Sequence, residues 1–96
     1  MTHQLYRFYY SNQAEKFLKR KGSELTKEQA EVQVVTAIRR ITHEEVNSSD
    51  VIAMKGDFKG YFRVREGKIR IIFTYLEGSI RIVNINRIDY RGNVYE

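Results

Sequence analysis

The run from Lys55 to Tyr90, KGDFKGYFRVREGKIRIIFTYLEGSIRIVNINRIDY, leaves this chain few architectures to choose from. It contains two Glu-Gly pairs, Glu66-Gly67 and Glu77-Gly78, each offering a glycine where a two-residue hairpin turn needs positive φ. Three consecutive antiparallel strands follow from that spacing. If Glu66-Gly67 is the first turn, Val64 faces Ile69 and Arg63 faces Arg70. If Glu77-Gly78 is the second, Phe73 faces Ile82 and Lys68 faces Arg87, because antiparallel partners count outward from the loop.

Side chains alternate across a strand, so one face of this sheet collects Phe62, Val64, Ile69, Ile71, Phe73, Tyr75, Ile80 and Ile82, an apolar set suited to a core. The opposite face collects Arg63, Arg65, Lys68, Arg70 and Arg87 at one end, with Ile72, Val83 and Ile85 farther along. Like charges opposed across a ladder cost up to about 1 kcal/mol, so Arg63 opposite Arg70 is a poor choice for stability alone. An anionic partner removes the conflict. A phosphodiester suits it best, because the planar guanidinium fork matches phosphate oxygens in a bidentate way. Splayed, solvated stems are the ordinary fate of one arginine pair and a weaker account of five converging cations. Arg70 and Arg87 are expected to be exposed.

The first half of the chain supplies the layer that covers the apolar face. Leu5 to Tyr10 is an aromatic strand candidate, and Asn12 with Glu15 fits a capping box for a short helix over 12–21 that buries Ala14, Phe17 and Leu18 and ends at Gly22. Thr26 with Gln29 begins a second helix that reaches Thr42 and buries Ala30, Val34, Ala37, Ile38 and Ile41. His43 to Ser49 reads as a polar loop, and Val51 to Met54 as a little extended structure. The expected class is α+β in the order β-α-α-β-β-β: an N-terminal strand, a two-helix hairpin, then a three- to four-stranded antiparallel sheet. Residues 1–96 make one domain around one core.

Charge adds to this picture. The 17 Lys and Arg outnumber 12 Asp and Glu for a net charge of +5. The excess lies in the sheet half, where residues 51–96 hold nine basic and five acidic side chains. Such an imbalance favours a polyanion. The absence of cysteine rules out disulfides and thiolate zinc sites. Nothing in the sequence reads as a signal peptide or membrane span, so a cytoplasmic location with no membrane partner is expected.

His3 and His43 lie far in sequence from the arginines, and neither has a carboxylate pattern of the kind divalent sites require, so no metal and no cofactor is expected. Near the cluster stand Tyr61, Glu66, Asp89, Tyr90 and Tyr95. This set suits one reaction. RNA carries its own nucleophile, the ribose 2′-hydroxyl, so cleavage by internal transesterification needs alignment, charge stabilisation and proton transfer. Arginines stabilise the charge that builds on non-bridging oxygens, and a tyrosine stacks on a base or relays a proton. Each tyrosine is as readily packing as function. A guanidinium with pKa above about 12 is a poor base, so Glu66 is the candidate base if the turn lets it reach over.

The order Met54-Lys55-Gly56, Gly60-Tyr61-Phe62-Arg63-Val64-Arg65, Gly67-Lys68-Ile69-Arg70-Ile71-Ile72-Phe73 and Asn86-Arg87-Ile88-Asp89-Tyr90 resembles the RelE/ParE toxin superfamily over nearly the whole chain. Each motif is weak alone, and their order and spacing together are fairly specific. The resemblance implies the toxin of a toxin-antitoxin pair, partnered by a cognate antitoxin in a hetero-oligomer. Its RelE-type members act as mRNA interferases, cutting mRNA in the ribosomal A site without metal and so inhibiting translation. Carried over by position, Arg70 matches the phosphate-stabilising arginine and Arg87 the late arginine. Arg63 and Arg65 fall where lysines are common, Tyr90 is the first choice for the functional tyrosine, and Tyr95 is its rival. Lys55, Tyr61 and Lys68 complete the substrate-binding set. Arginine at 63 and 65 removes the lysine that serves as base in some members. The alternative within the superfamily is a ParE-like toxin that inhibits DNA gyrase without nuclease activity; outside it, a plain RNA-binding module without chemistry.

Overall fold

A computed structural model describes residues 4–20, 22–44 and 51–92. The order is β1 (Leu5–Tyr10), α1 (Asn12–Lys19), α2 (Lys27–Ile41), β2 (Val51–Ala53), a 3-10 turn (Gly56–Phe58), β3 (Phe62–Glu66), β4 (Ile69–Leu76) and β5 (Ile80–Tyr90). These strands form one sheet in the order β1-β5-β4-β3-β2. The pairs from β2 to β5 are antiparallel, and β1 joins the edge of β5 in parallel, with Leu5 beside Ile80 and Tyr10 beside Ile85. The α+β class and the element order agree with the sequence reading.

Both helices lie on one face of the sheet. Ala14 and Phe17 from α1, Leu25, and Ala30, Val34, Ala37 and Ile38 from α2 pack with Val64, Ile69, Ile71, Phe73, Val83, Ile85 and Ile88 in a single core. The α1 cap is Ser11 and not Asn12: its hydroxyl oxygen accepts from the Ala14 N–H at 3.1 Å and donates to the Asn86 carbonyl at 2.7 Å. The Thr26–Gln29 capping box is complete, with bonds of 2.9 and 3.1 Å. At the other end of α2, His43 takes the left-handed conformation at φ 61, while the His43 and Glu44 N–H groups bond the Arg40 and Arg39 carbonyls. That pair of bonds is a Schellman closure. Tyr10 ties β1 to α2 by donating its hydroxyl proton to the Glu31 carboxylate.

Both hairpin turns differ from expectation, with opposite consequences. The β3–β4 turn is Gly67-Lys68: Glu66 pairs with Ile69, and Gly67 comes first in the turn at φ 59. The register moves by an even number, so the strand side chains keep their expected faces, while Lys68, expected opposite Arg65 and Arg87, leaves the ladder for the turn. Arg65, and not Arg63, opposes Arg70, while Arg63 opposes Ile72. The β4–β5 connection is longer than a two-residue turn. Phe73 meets Ile85 instead of Ile82, an odd shift that exchanges the faces of β5. Val83 and Ile85 therefore enter the core at 0% and 1% exposure, whereas Ile80 and Ile82 turn to the face away from the helices.

A β-bulge then reverses the exchange. Ile72 pairs with Arg87 while the next residue, Phe73, pairs with Ile85, which leaves Asn86 as the extra residue. Past the bulge, Ile88 and Tyr90 point to the helices and Arg87 and Asp89 point away. Beyond the last β1–β5 pair at Tyr10 and Ile85, α1 takes over the edge of β5. The Gln13 side-chain amide donates to the Ile88 carbonyl at 2.6 Å and accepts from the Ile88 N–H at 2.9 Å.

Candidate nucleic-acid interface

The helix-free face carries two cross-strand rows over β3, β4 and β5. One reads Arg65, Arg70, Asp89; the next reads Arg63, Ile72, Arg87, and continues to Ile52 on β2. Four arginines from three strands thus share one end of one face. The expected like-charge contact exists as Arg65 against Arg70, and Asp89 on the far side of Arg70 tempers it. Asp89 also accepts from Arg87 Nη2 at 3.1 Å and from its neighbour's N–H at 2.8 Å, which fixes its carboxylate on this face.

The arginines are not equivalent. Arg65 is exposed and Arg63 and Arg87 are half-buried. Arg70 is only 5% exposed, contrary to the expectation of an exposed cation. Its Nη1 donates to the Gly67 carbonyl at 2.9 Å and to the Ile69 carbonyl at 3.3 Å, so the guanidinium folds back onto the β3–β4 turn. Beside it Ile72, at 2% exposure, provides an apolar floor between Arg63 and Arg87. A cation held in a low-dielectric setting by fixed carbonyls is better oriented toward an incoming anion than a solvated one.

The structure disperses part of the expected set. Glu66 lies on the helix side and lines an acidic cleft of about 380 Å³ with Glu24, Leu25, Glu28, Gln29, Val32 and Gln33, so it does not reach over the arginine face. Tyr90 also points to the helices: its ring meets Phe17 with centroids 5.5 Å apart and lies 5.8 Å from the Arg20 guanidinium carbon. The alternation of β5 decides this, because Tyr90 follows Asp89 and must take the other face. Lys68 sits exposed at the turn tip, and Lys55 is exposed ahead of the 3-10 turn. Tyr61 meets Phe58 edge to face at 6.3 Å. Tyr95 and His3 lie outside the described residues, and His43 closes α2 at the other end of the molecule from the turn that holds Arg70.

Sequence reading missed one buried cation. Arg81, 5% exposed, belongs to the helix side of β5, donating to Glu77 at 2.5 Å, to the Tyr6 hydroxyl at 2.8 Å and to Glu44. The Glu44 hydrogen bond, ahead of those to Glu77 and Tyr6, raises the Arg81 pKa further. In return it holds the Glu44 carboxyl below the usual carboxylate range. Tyr6 and Glu44 are remote from Arg81 in sequence, so no local pattern marks the network. Part of the positive excess in the sheet half is thereby internal.

Among the described residues, no group of three or more His, Asp or Glu side chains is placed to hold a metal ion, and no helix is long and apolar enough to cross a membrane.

No protein-family model matches the chain, and no curated protein matches it in sequence. Solved structures do match it in shape. YafQ from Escherichia coli superposes with a TM-score of 0.63 at 14% identity, covering 94% of this chain and 98% of YafQ. The YoeB/ParE toxin from Agrobacterium tumefaciens gives 0.57 at 14% identity over 88% of this chain and 98% of its own. A chain of the RelB–RelE antitoxin–toxin complex from Methanococcus jannaschii gives 0.50 at 20% identity over 91% and 94%. The strand-helix-helix-sheet architecture described above is therefore the RelE/ParE-type toxin fold.

Proposed function

We propose that this protein is the toxin of a toxin-antitoxin pair and that it is a metal-independent endoribonuclease acting on mRNA in the ribosomal A site. The observation that carries the reading is the convergence of Arg63, Arg65, Arg70 and Arg87 on one face around Ile72, with Asp89 as a carboxylate within the same cluster. The fold likeness to a toxin seen with its antitoxin supports the partner, an antitoxin held in a hetero-oligomer.

In this reading Arg70 and Arg87 hold the non-bridging oxygens of the scissile phosphate, and Arg63 and Arg65 hold the flanking backbone. The 2′-oxygen attacks phosphorus and its proton passes to Asp89. The bond from phosphorus to the 5′-oxygen breaks, and that oxygen takes a proton from solvent, leaving a 2′,3′-cyclic phosphate and a 5′-hydroxyl. Asp89 replaces Glu66 as proton acceptor because Asp89 shares the arginine face and Glu66 does not.

A purified translation system containing the protein should show cleavage within A-site codons. Asp89→Asn should slow it by about a hundredfold or more, the usual worth of a positioned base, while leaving association with programmed ribosomes intact. An Asp89→Asn protein that cuts at the wild-type rate removes Asp89 from this role. Intact message together with blocked gyrase supercoiling by the wild type would replace the nuclease with the ParE-like alternative.

A further inference from the structure

The arginine face does not end at Asp89. Where β1 stops pairing with β5, α1 takes its place beside the strand edge, leaving a cleft of about 300 Å³ lined by Gln13, Lys16, Phe17, Arg20 and Asp89. Its volume is at the lower end of the range for small-molecule sites. Gln13 forms part of its wall through the paired bonds to Ile88, which satisfy the open strand edge and hold α1 at a set distance from β5. Phe17, only 4% exposed, closes the inner wall. Two cations come from α1 and its C-cap: exposed Lys16, and Arg20, whose guanidinium carbon lies 5.5 Å from the Phe17 ring centroid and 5.8 Å from that of Tyr90.

Asp89 belongs to both surfaces. It pairs with Arg70 across the sheet, is bonded by Arg87 and lines the cleft, so the cleft opens directly beside the proposed reaction centre. Its charge is already engaged by Arg87. The α1 side of the cleft, with two cations, is where an anion is favoured. A guanidinium held within cation–π distance of two rings is partly positioned already, which lowers the cost of fixing it under a base.

We propose that this cleft receives one nucleotide flanking the scissile phosphate, with the base on the outer side of the Arg20 guanidinium and its phosphate on Lys16. The inference rests on the nuclease reading and extends it: RNA would be gripped at two places, the sheet face and the α1 side of β5. The bulge at Asn86 and the Gln13 clamp set the spacing between the two.

The test uses short synthetic messages on programmed ribosomes, each with one flanking phosphate replaced by an uncharged methylphosphonate. One flanking position should slow wild-type cleavage by about tenfold, the worth of one charge-assisted hydrogen bond. Lys16→Ala should slow cleavage of the unmodified message by a similar factor and lose almost nothing more at that position, and Lys16→Arg should restore the sensitivity. Lys16 is exposed, so the variant keeps its fold. If every methylphosphonate slows wild type and Lys16→Ala by the same factor, the cleft holds no phosphate and the inference fails. If the wild type cuts no message, it is the nuclease reading that fails, a separate outcome.

Discussion

Truncating Arg70 should destabilise the fold, whereas truncating the arginine opposite it should not. Arg70→Ala removes two buried methylenes beyond Cβ, about 1.5 kcal/mol of lost burial. It also removes the bonds to the Gly67 and Ile69 carbonyls at 2.9 and 3.3 Å, together about 0.5–1.5 kcal/mol net because the exposed turn carbonyl can rehydrate. Relief of the Arg65 contact returns up to about 1 kcal/mol. The net loss is about 1–3 kcal/mol, or about 4–24 °C in Tm for a domain of this size. Arg65→Ala, at an exposed position on the same cross-strand row, should change stability by no more than about 0.5 kcal/mol in either direction. Urea melts followed by circular dichroism, read as a midpoint change at constant slope, measure both. Equal stability of the two variants would refute the burial of the Arg70 guanidinium. The size of the loss also matters for function: growth inhibition lost in Arg70→Ala counts as loss of chemistry only at temperatures where the variant stays folded. Arg70→Lys, which keeps stem and charge, separates the two effects.

Two further predictions concern the end of α2. Glu44 has its pKa lowered chiefly by the Arg81 hydrogen bond, then by Thr42. A lowered folded-state pKa gives stability that is present above the ordinary value of 4.5 and fades as pH falls through and below it. Glu44→Gln should therefore flatten the acid limb of a Tm-against-pH curve; an unchanged limb would remove Glu44 from the linkage. His43 at φ 61 occupies the position after the helix where glycine is favoured. His43→Gly should stabilise by about 0.5–1 kcal/mol, visible as a higher urea midpoint, and a lower midpoint would mean that the imidazole makes a compensating contact.

How far each feature could be read in advance follows from the range of the interaction behind it. The Thr26–Gln29 box, the α2 stripe of Ala30, Val34, Ala37 and Ile38, and the β3–β4 hairpin depend on neighbours within one turn of helix or one short loop, and they are legible in the sequence. The cationic end of the sheet was legible too. Its four arginines keep their face because moving the turn from Glu66-Gly67 to Gly67-Lys68 shifts pairing by an even number and a strand has period two, whereas the fifth expected member, Lys68, passes into the turn. The second turn offered no such protection. Its odd shift exchanged Ile80 and Ile82 with Val83 and Ile85, and only the extra residue at Asn86 brought Arg87 back beside Arg70.

Composition and local pattern thus determined the class, the two helices and the presence of an arginine-rich face. Tertiary structure decided which polar groups share that face. Tyr90 and Glu66 look adjacent to the arginines in sequence, yet strand alternation turns them to the helices. Asp89 joins the cluster by the same rule. Arg81 and Glu44 meet because the Schellman closure of α2 places a carboxylate above the start of β5. Burial of Arg70 likewise needed the folded sheet, since a guanidinium can leave water only where fixed carbonyls stand ready to receive its donors.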